Sequence, residues 1–172
     1  MNKMYIIFFL SGMIFVGAGY LIVQKIMNKP VVILSKTKMS YHANIIKDTQ
    51  ENENFRRVLF TGDNSQLVVM SIPQGGEVGA ETHKYTEQTL FFLSGTGEGE
   101  FDGKTFPIIP GDVVVVVPGT EHNFRNTGAE DLKIYTVYAP ANHIDGRVHK
   151  TKADADADIA DEAVGENKPI CN

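Results

Sequence analysis

Between Arg57 and Ala139 the chain is cut into short apolar runs by turns that carry Gly, Pro, Asn and Asp, and this spacing leaves little room for anything but β-structure. The runs Arg57–Gly62, Gln66–Ile72, Thr89–Ser94, Gly97–Asp102, Lys104–Ile109, Asp112–Val117, His122–Asn126 and Leu132–Ala139 read as strands. Asp102-Gly103 is the sharpest of the breaks, because a two-residue type I′ hairpin turn needs positive φ at both central positions. No segment of helical period separates the strands, so they predict an antiparallel sandwich or jelly roll. Residues Val113 to Val117 do not alternate with polar residues, and that strand is expected to be buried on both faces. With 172 residues and 42% hydrophobic content, the chain has room for one such domain.

Two spaced polar sets lie on this framework: Gly75-x5-Glu81-x-His83-x4-Gln88-x6-Gly95 and Gly111-x5-Val117-x-Gly119-x2-His122-x3-Asn126. Residues two apart on a strand point to one face, so Glu81 and His83 can reach a common point. Gln88 starts the next strand, and His122 sits on a later one that closure of a barrel would bring opposite. Together these side chains make a divided metal site. The sets resemble the paired motifs of the cupin superfamily, G-x5-H-x-H-x3,4-E-x6-G and G-x5-P-x-G-x2-H-x3-N. The resemblance covers Phe55 to Pro140 and implies an all-β double-stranded β-helix, a jelly-roll barrel that carries one divalent metal ion. Glu81 stands where the family has its first histidine, Gln88 replaces its glutamate, and the proline falls one place late, as Pro118.

The implied ligand set is Glu81, His83, Gln88 and His122. The carboxylate has moved rather than vanished, so a divalent ion still keeps one carboxylate, two imidazoles and a neutral fourth donor. Oxygen donors beside imidazoles suit Mn or Fe, with Zn and Ni also accommodated. Two histidines with one carboxylate also resemble the facial triad of non-heme iron oxygenases. Each ligand has a plainer reading: a surface or hydrogen-bonding histidine, or a solvated carboxylate at a loop edge. Glu87 competes with Gln88, but the spacing to Gly95 and the inward alternation Gln88, Leu90, Phe92 select Gln88. A barrel that has lost its metal and only binds a ligand would show the same two substitutions.

The flanks differ in composition. Tyr5 to Val23 is an uncharged apolar stretch of about 19 residues, nearly enough to span a hydrocarbon core as a helix. It reads as a transmembrane anchor, with a cleaved signal peptide ending near Val16-Gly17-Ala18 as the competitor. Lys25, Lys29, Lys36 and Lys38 outnumber Lys3, which puts the barrel on the cytoplasmic side of the membrane. The single Cys171 excludes an internal disulfide. The expected division is an anchor over 1–29, a tether and loop over 30–54, the barrel over 55–140 and a tail over 141–172. The Ala- and Asp-rich stretch from Lys150 to Ala163 reads as an exposed, solvated helix.

A net charge of −5 without a Lys/Arg cluster argues against nucleic acid as a partner. No phosphate-binding glycine loop, Ser-His-Asp set or Cys-x-x-Cys pair is present. The expected ligand is a small organic molecule in the barrel mouth. Tyr85, Arg125 and His143 are candidate proton-moving side chains beside the metal. The residues after Pro140 resemble those of small cupins labelled mannose-6-phosphate isomerase-like, a label that does not fix the reaction. Two functions follow: a metal-dependent oxygenase or isomerase of small metabolites, or a membrane-tethered binding or sensing module without turnover. The resemblance also implies a homodimer, since such barrels expose sheet edges and an apolar sheet face.

Overall fold

The computed structural model describes residues 40–166. Its strands are β1 Arg56–Thr61, β2 Gln66–Ile72, β3 Glu81–Thr82, β4 Glu87–Ser94, β5 Gly97–Phe101, β6 Lys104–Ile108, β7 Val113–Val116, β8 Glu121–Asn126, β9 Leu132–Ala139 and β10 Val148–His149. Short helices precede and follow them: α1 Ile45–Gln50, α2 Lys152–Asp156 and α3 Ile159–Glu166. The strands form a six-stranded sheet in the order β10-β1-β2-β9-β4-β7 and a four-stranded sheet in the order β3-β8-β5-β6. Every pairing is antiparallel, as expected of a jelly roll. The strand segments read from the sequence all reappear, with ends shifted by a residue or two; the two-residue strands β3 and β10 are additions.

Alternation decides which side chains fill the barrel. Along β4, Gln88, Leu90 and Phe92 are buried while Glu87 is exposed. Along β9, Leu132, Ile134, Thr136 and Tyr138 are buried. With Phe124 of β8, whose ring lies 5.5 Å from that of Phe92, these make the core between the sheets. Each fully buried Leu, Ile or Phe among them contributes roughly 1.5–3 kcal/mol by leaving water. The β5–β6 hairpin turns through Asp102 and Gly103 with φ of 47° and 78°, the double positive φ that the Asp-Gly pair predicts.

Three sequence expectations need correction. Val113 to Val117 are not buried on both faces: Val113, Val115 and Val117 are 56%, 50% and 54% exposed, whereas Val114 and Val116 are buried. Strand β7 ends its sheet and pairs only with β4, so its outer face has no cover, and a run of valines carries no polar residue to mark that face. The stretch before Phe55 is not all loop, because α1 lies within it. Asn44 caps that helix by accepting from the Lys47 amide at 3.2 Å, and Thr49 is fully buried. The acidic tail is not simply a solvated surface either. Strand β10 joins β1, Thr151 and Asp154 form a capping box on α2, and Ala155 and Asp161 are buried.

The apolar stretch Tyr5 to Val23 lies outside the described residues. Among the described residues no helix is long and apolar enough to cross a membrane.

Candidate metal centre

The loop between β2 and β3 is laced along β8. The Gly75 amide donates to the Asn126 carbonyl at 3.1 Å, the Asn126 amide to Gly76 at 2.9 Å, and the Val78 amide to Phe124 at 3.0 Å. The side chain of Asn123 accepts from the Gly79 amide at 3.0 Å. This lacing sets the register of β3 on β8, in which Glu81 stands directly opposite His122. Directly opposed residues in an antiparallel pair share a face, so the two side chains must meet. The motif residue Asn126 is not part of the cluster. Its amide nitrogen donates to the carbonyls of Ile72 and Glu130, both at 2.8 Å, and its oxygen accepts from Gly128, so it fastens the loops around the site. Gly119, with φ of 88°, donates its amide to the His83 carbonyl at 2.9 Å and so ties the second motif to the first.

Glu81, His83 and His122 each present a donor atom within 4.8 Å of the others. Glu81 Oε1 lies 3.4 Å from His83 Nε2 and 3.5 Å from His122 Nε2. Donors about 2.1 Å from one ion, at angles near 90–110°, stand about 3.0–3.4 Å apart, so the spacing fits shared coordination. The two Nε2 atoms are buried and neither makes a hydrogen bond, although a carboxylate lies beside them. His122 Nδ1 is 2.9 Å from the Thr120 carbonyl. That oxygen can only accept, so Nδ1 carries the proton and Nε2 is left with a lone pair for a ligand, the arrangement that orients metal-binding histidines. The donor set therefore fits a divalent metal.

Gln88 is buried on β4, opposite Tyr138 in the sheet, and its Oε1 has no hydrogen-bond partner. It shares the interior face with Tyr138, whose ring packs edge-on to His83 at 5.6 Å. Burial opposes ionisation of Glu81, yet the nearby His122 and His83 outweigh it and hold the carboxyl below its usual range. For His122, burial opposes protonation, but the Glu81 carboxylate raises the pKa overall. Burial, reinforced by the charge of Glu81, pushes the Tyr138 phenol up, so it stays neutral.

Glu81, which is 29% exposed, and His83 line a cavity of ≈ 310 Å³. Its other wall is supplied by Arg56 and by the segment after the last barrel strand, including His143 and Asp161. His143 is buried; its Nδ1 lies 2.8 Å from Asp161 Oδ2 and its Nε2 lies 3.1 Å from Arg56 Nη1. A guanidinium only donates, so Nε2 accepts from Arg56 and Nδ1–H donates to Asp161. Burial, with the cationic Arg56 adding to it, lowers the His143 pKa and keeps the ring neutral. Of the three proton-moving candidates read from the sequence, only His143 reaches the cavity. Arg125 faces outward, 2.7 Å from Glu100 and 3.3 Å from Glu77. Tyr85 lies under the Lys84 ammonium at 5.1 Å and does not line the cavity. Arg56 and Asp161 carry no motif signal, and their roles emerge only when the tail is folded back.

Comparison with known proteins places this geometry in context. Residues 68–138 match the family model described as Cupin domain. The uncharacterised protein YrkC of Bacillus subtilis is 40% identical over 118 residues, which span 65% of this chain and 63% of YrkC, just under two thirds of that relative's length. An oxalate-binding protein of Thermotoga maritima is 35% identical over 68 residues, 40% of this chain and 56% of that protein. A Bacillus halodurans protein of solved structure superposes with a TM-score of 0.68 at 36% identity, covering 71% of this chain and 97% of that one.

Proposed function

We propose that this chain, which belongs to the cupin family, holds a divalent metal ion on Glu81, His83 and His122 and uses it to bind or transform a small oxygen-bearing metabolite in the adjoining cavity. The observation that carries this reading is the pair of buried Nε2 atoms without hydrogen bonds, gathered at 3.4 and 3.5 Å from one carboxylate oxygen. Gln88 is the fourth donor in this reading, with its unpartnered Oε1 supplying a neutral oxygen. Nitrogen and oxygen donors in this ratio suit Mn or Fe first, and Zn or Ni second. When bound, such an ion polarises a ligand oxygen or activates water or O2. The protein's own contributions are the fixed Nδ1 proton of His122, the neutral phenol of Tyr138 against His83, and a half-buried Glu81 that opens the cluster to the cavity. The oxalate-binding relative supports a small, oxygen-rich ligand.

The second reading is a ligand-binding or sensing barrel without metal, which Gln88 in place of a glutamate favours. Elemental analysis of the purified protein separates the two. The first reading expects stoichiometric metal in the natural chain and none in His83→Ala or His122→Ala; a chain that never holds metal supports the second. An anchor at Tyr5 to Val23 and a cytoplasmic barrel remain part of the proposal, supported by the apolar run and the lysine bias. So does a homodimer, which the uncovered Val113, Val115 and Val117 on the edge strand support.

A further inference from the structure

Arg56 is the cation of the cavity lining, and no carboxylate forms an ion pair with it. Arginine stays charged at any physiological pH. Among the described residues Arg56 is in no ion pair, its Nε is buried without a hydrogen-bond partner, and the side chains in contact with its guanidinium, His143, Tyr138 and the Phe55 ring, are all neutral. Partly buried charges are normally paired, so a guanidinium left this way in a cavity wall is set up for an anion from outside the chain. The nearby carboxylate that might have taken that place, Asp161, has both oxygens engaged elsewhere. Its Oδ2 holds His143 Nδ1 at 2.8 Å and its Oδ1 holds the Ile144 amide at 2.8 Å. Asp156, Glu162 and Glu166, also on the cavity lining, are exposed, and Asp156 is bound to Lys152 at 2.7 Å. Solvent screens them more than it screens Arg56, whose Nε is buried.

We propose that Arg56 is an anion subsite and that the ligand is a short carboxylate carrying a second oxygen donor, its carboxylate on the guanidinium and its other oxygen toward the Glu81–His83–His122 cluster. This rests on the metal reading above only for the second oxygen. Tyr138 sets the scale: its ring lies 5.0 Å from that of His143 and 5.6 Å from that of His83, so it bridges the two ends. A cavity of ≈ 310 Å³ holds about ten waters at about 30 Å³ each, ample room for an acid of a few carbons. A planar fork of donors matches a carboxylate in two-point contact. His143 and Asp161 are positioning residues here: Asp161 fixes the proton on Nδ1, and Nε2 then fixes the guanidinium.

The test is calorimetric titration of the full chain, with and without added Mn²⁺, using pyruvate and oxalate against their neutral amides, pyruvamide and oxamide. The acids are expected to bind and the amides not. Arg56→Gln should weaken the acids by about ten- to a hundredfold, the scale of a lost charge-assisted bond, with metal content unchanged. Arg56→Lys should recover part of that loss, which a folding defect would not allow. His143→Gln should narrow the gap between acid and amide while metal content stays constant. The proposal is overturned if neither acid binds the natural chain at millimolar concentration, if the amides bind as tightly, or if Arg56→Gln binds the acids unchanged. If the natural chain takes no metal yet Arg56→Gln still abolishes acid binding, the metal reading fails and the anion subsite stands.

Discussion

The two walls of the cavity are built by different means. Glu81, His83 and His122 stand on or beside barrel strands, and their meeting follows from a register in which Glu81 opposes His122. The facing wall belongs to a strap in which β10 pairs with β1 and α2 and α3 follow, tied down by polar side-chain contacts: His143 to Asp161 at 2.8 Å, His149 to Asp158 at 3.0 Å and Arg147 to Asp158 at 2.9 Å. Its helices are short, and of their residues only Ala155 and Asp161 are fully buried. A wall made of ladder hydrogen bonds and core packing opens only with the whole barrel, whereas one held mainly by side-chain polar contacts can open locally. The difference teaches that the metal half of the site is rigid by construction and that the half that meets the ligand depends on polar pairing.

The comparison breaks most visibly at the histidines. His83→Ala and His122→Ala should each abolish stoichiometric metal binding while leaving the strap protected from protease; metal retained in either would separate the two motifs. Asp161→Ala should do the reverse. It leaves the His143 Nδ1–H and the Ile144 amide without an acceptor, at a cost of about 1–3 kcal/mol for each buried donor. Thermal unfolding should move down and cleavage between residues 144 and 166 should rise, with metal content intact. An unchanged melting temperature would show that the strap is not held by this pair.

A finer contrast lies within the metal wall. Glu81→Gln removes the carboxylate of the cluster and should weaken metal affinity, whereas Gln88→Glu adds one and should not; equal losses would show that charge does not govern the site. The smallest effect concerns pH. The folded-state pKa of His143 lies below its ordinary 6.5, so the stability this residue gives the strap is complete above pH 6.5 and is lost as pH falls toward the lower folded value. Asp161 is held below its ordinary 3.8; burial alone would raise it, and the bonds from His143 and Ile144 overcome that, so its contribution fades only in stronger acid. Hydrogen exchange in α3, corrected for intrinsic rates, should therefore quicken between about pH 7.5 and pH 5.5 while β4 and β9 stay unchanged. Equal protection of α3 at both values would contradict the neutral, buried His143.

The same contrast explains what could be read from the chain. Strands β2 and β9 were legible to the residue, because Gly and Pro turns bound them, although only β9 alternates in burial and β2 is buried almost throughout. Gln88 was separable from Glu87 because a one-residue shift along a strand reverses its face, and Glu87 is exposed as that rule requires. The valines of β7 were not legible, since nothing in Val-Val-Val-Val says which sheet neighbour is missing. Helix α1 hid in a polar stretch without an apolar stripe, and Asp161 looked like one more acidic surface residue. Arg56 and Asp161 are 105 positions apart in the chain, and their common neighbour His143 became meaningful only when β10 paired with β1.

The most direct measurement is anomalous diffraction from crystals of the full chain grown with Mn²⁺. The account predicts one anomalous peak about 2.1 Å from Glu81 Oε1, His83 Nε2 and His122 Nε2, with Gln88 Oε1 nearest among the remaining side-chain oxygens. A peak elsewhere, or none with the two imidazoles hydrogen-bonded to Glu81, would contradict it.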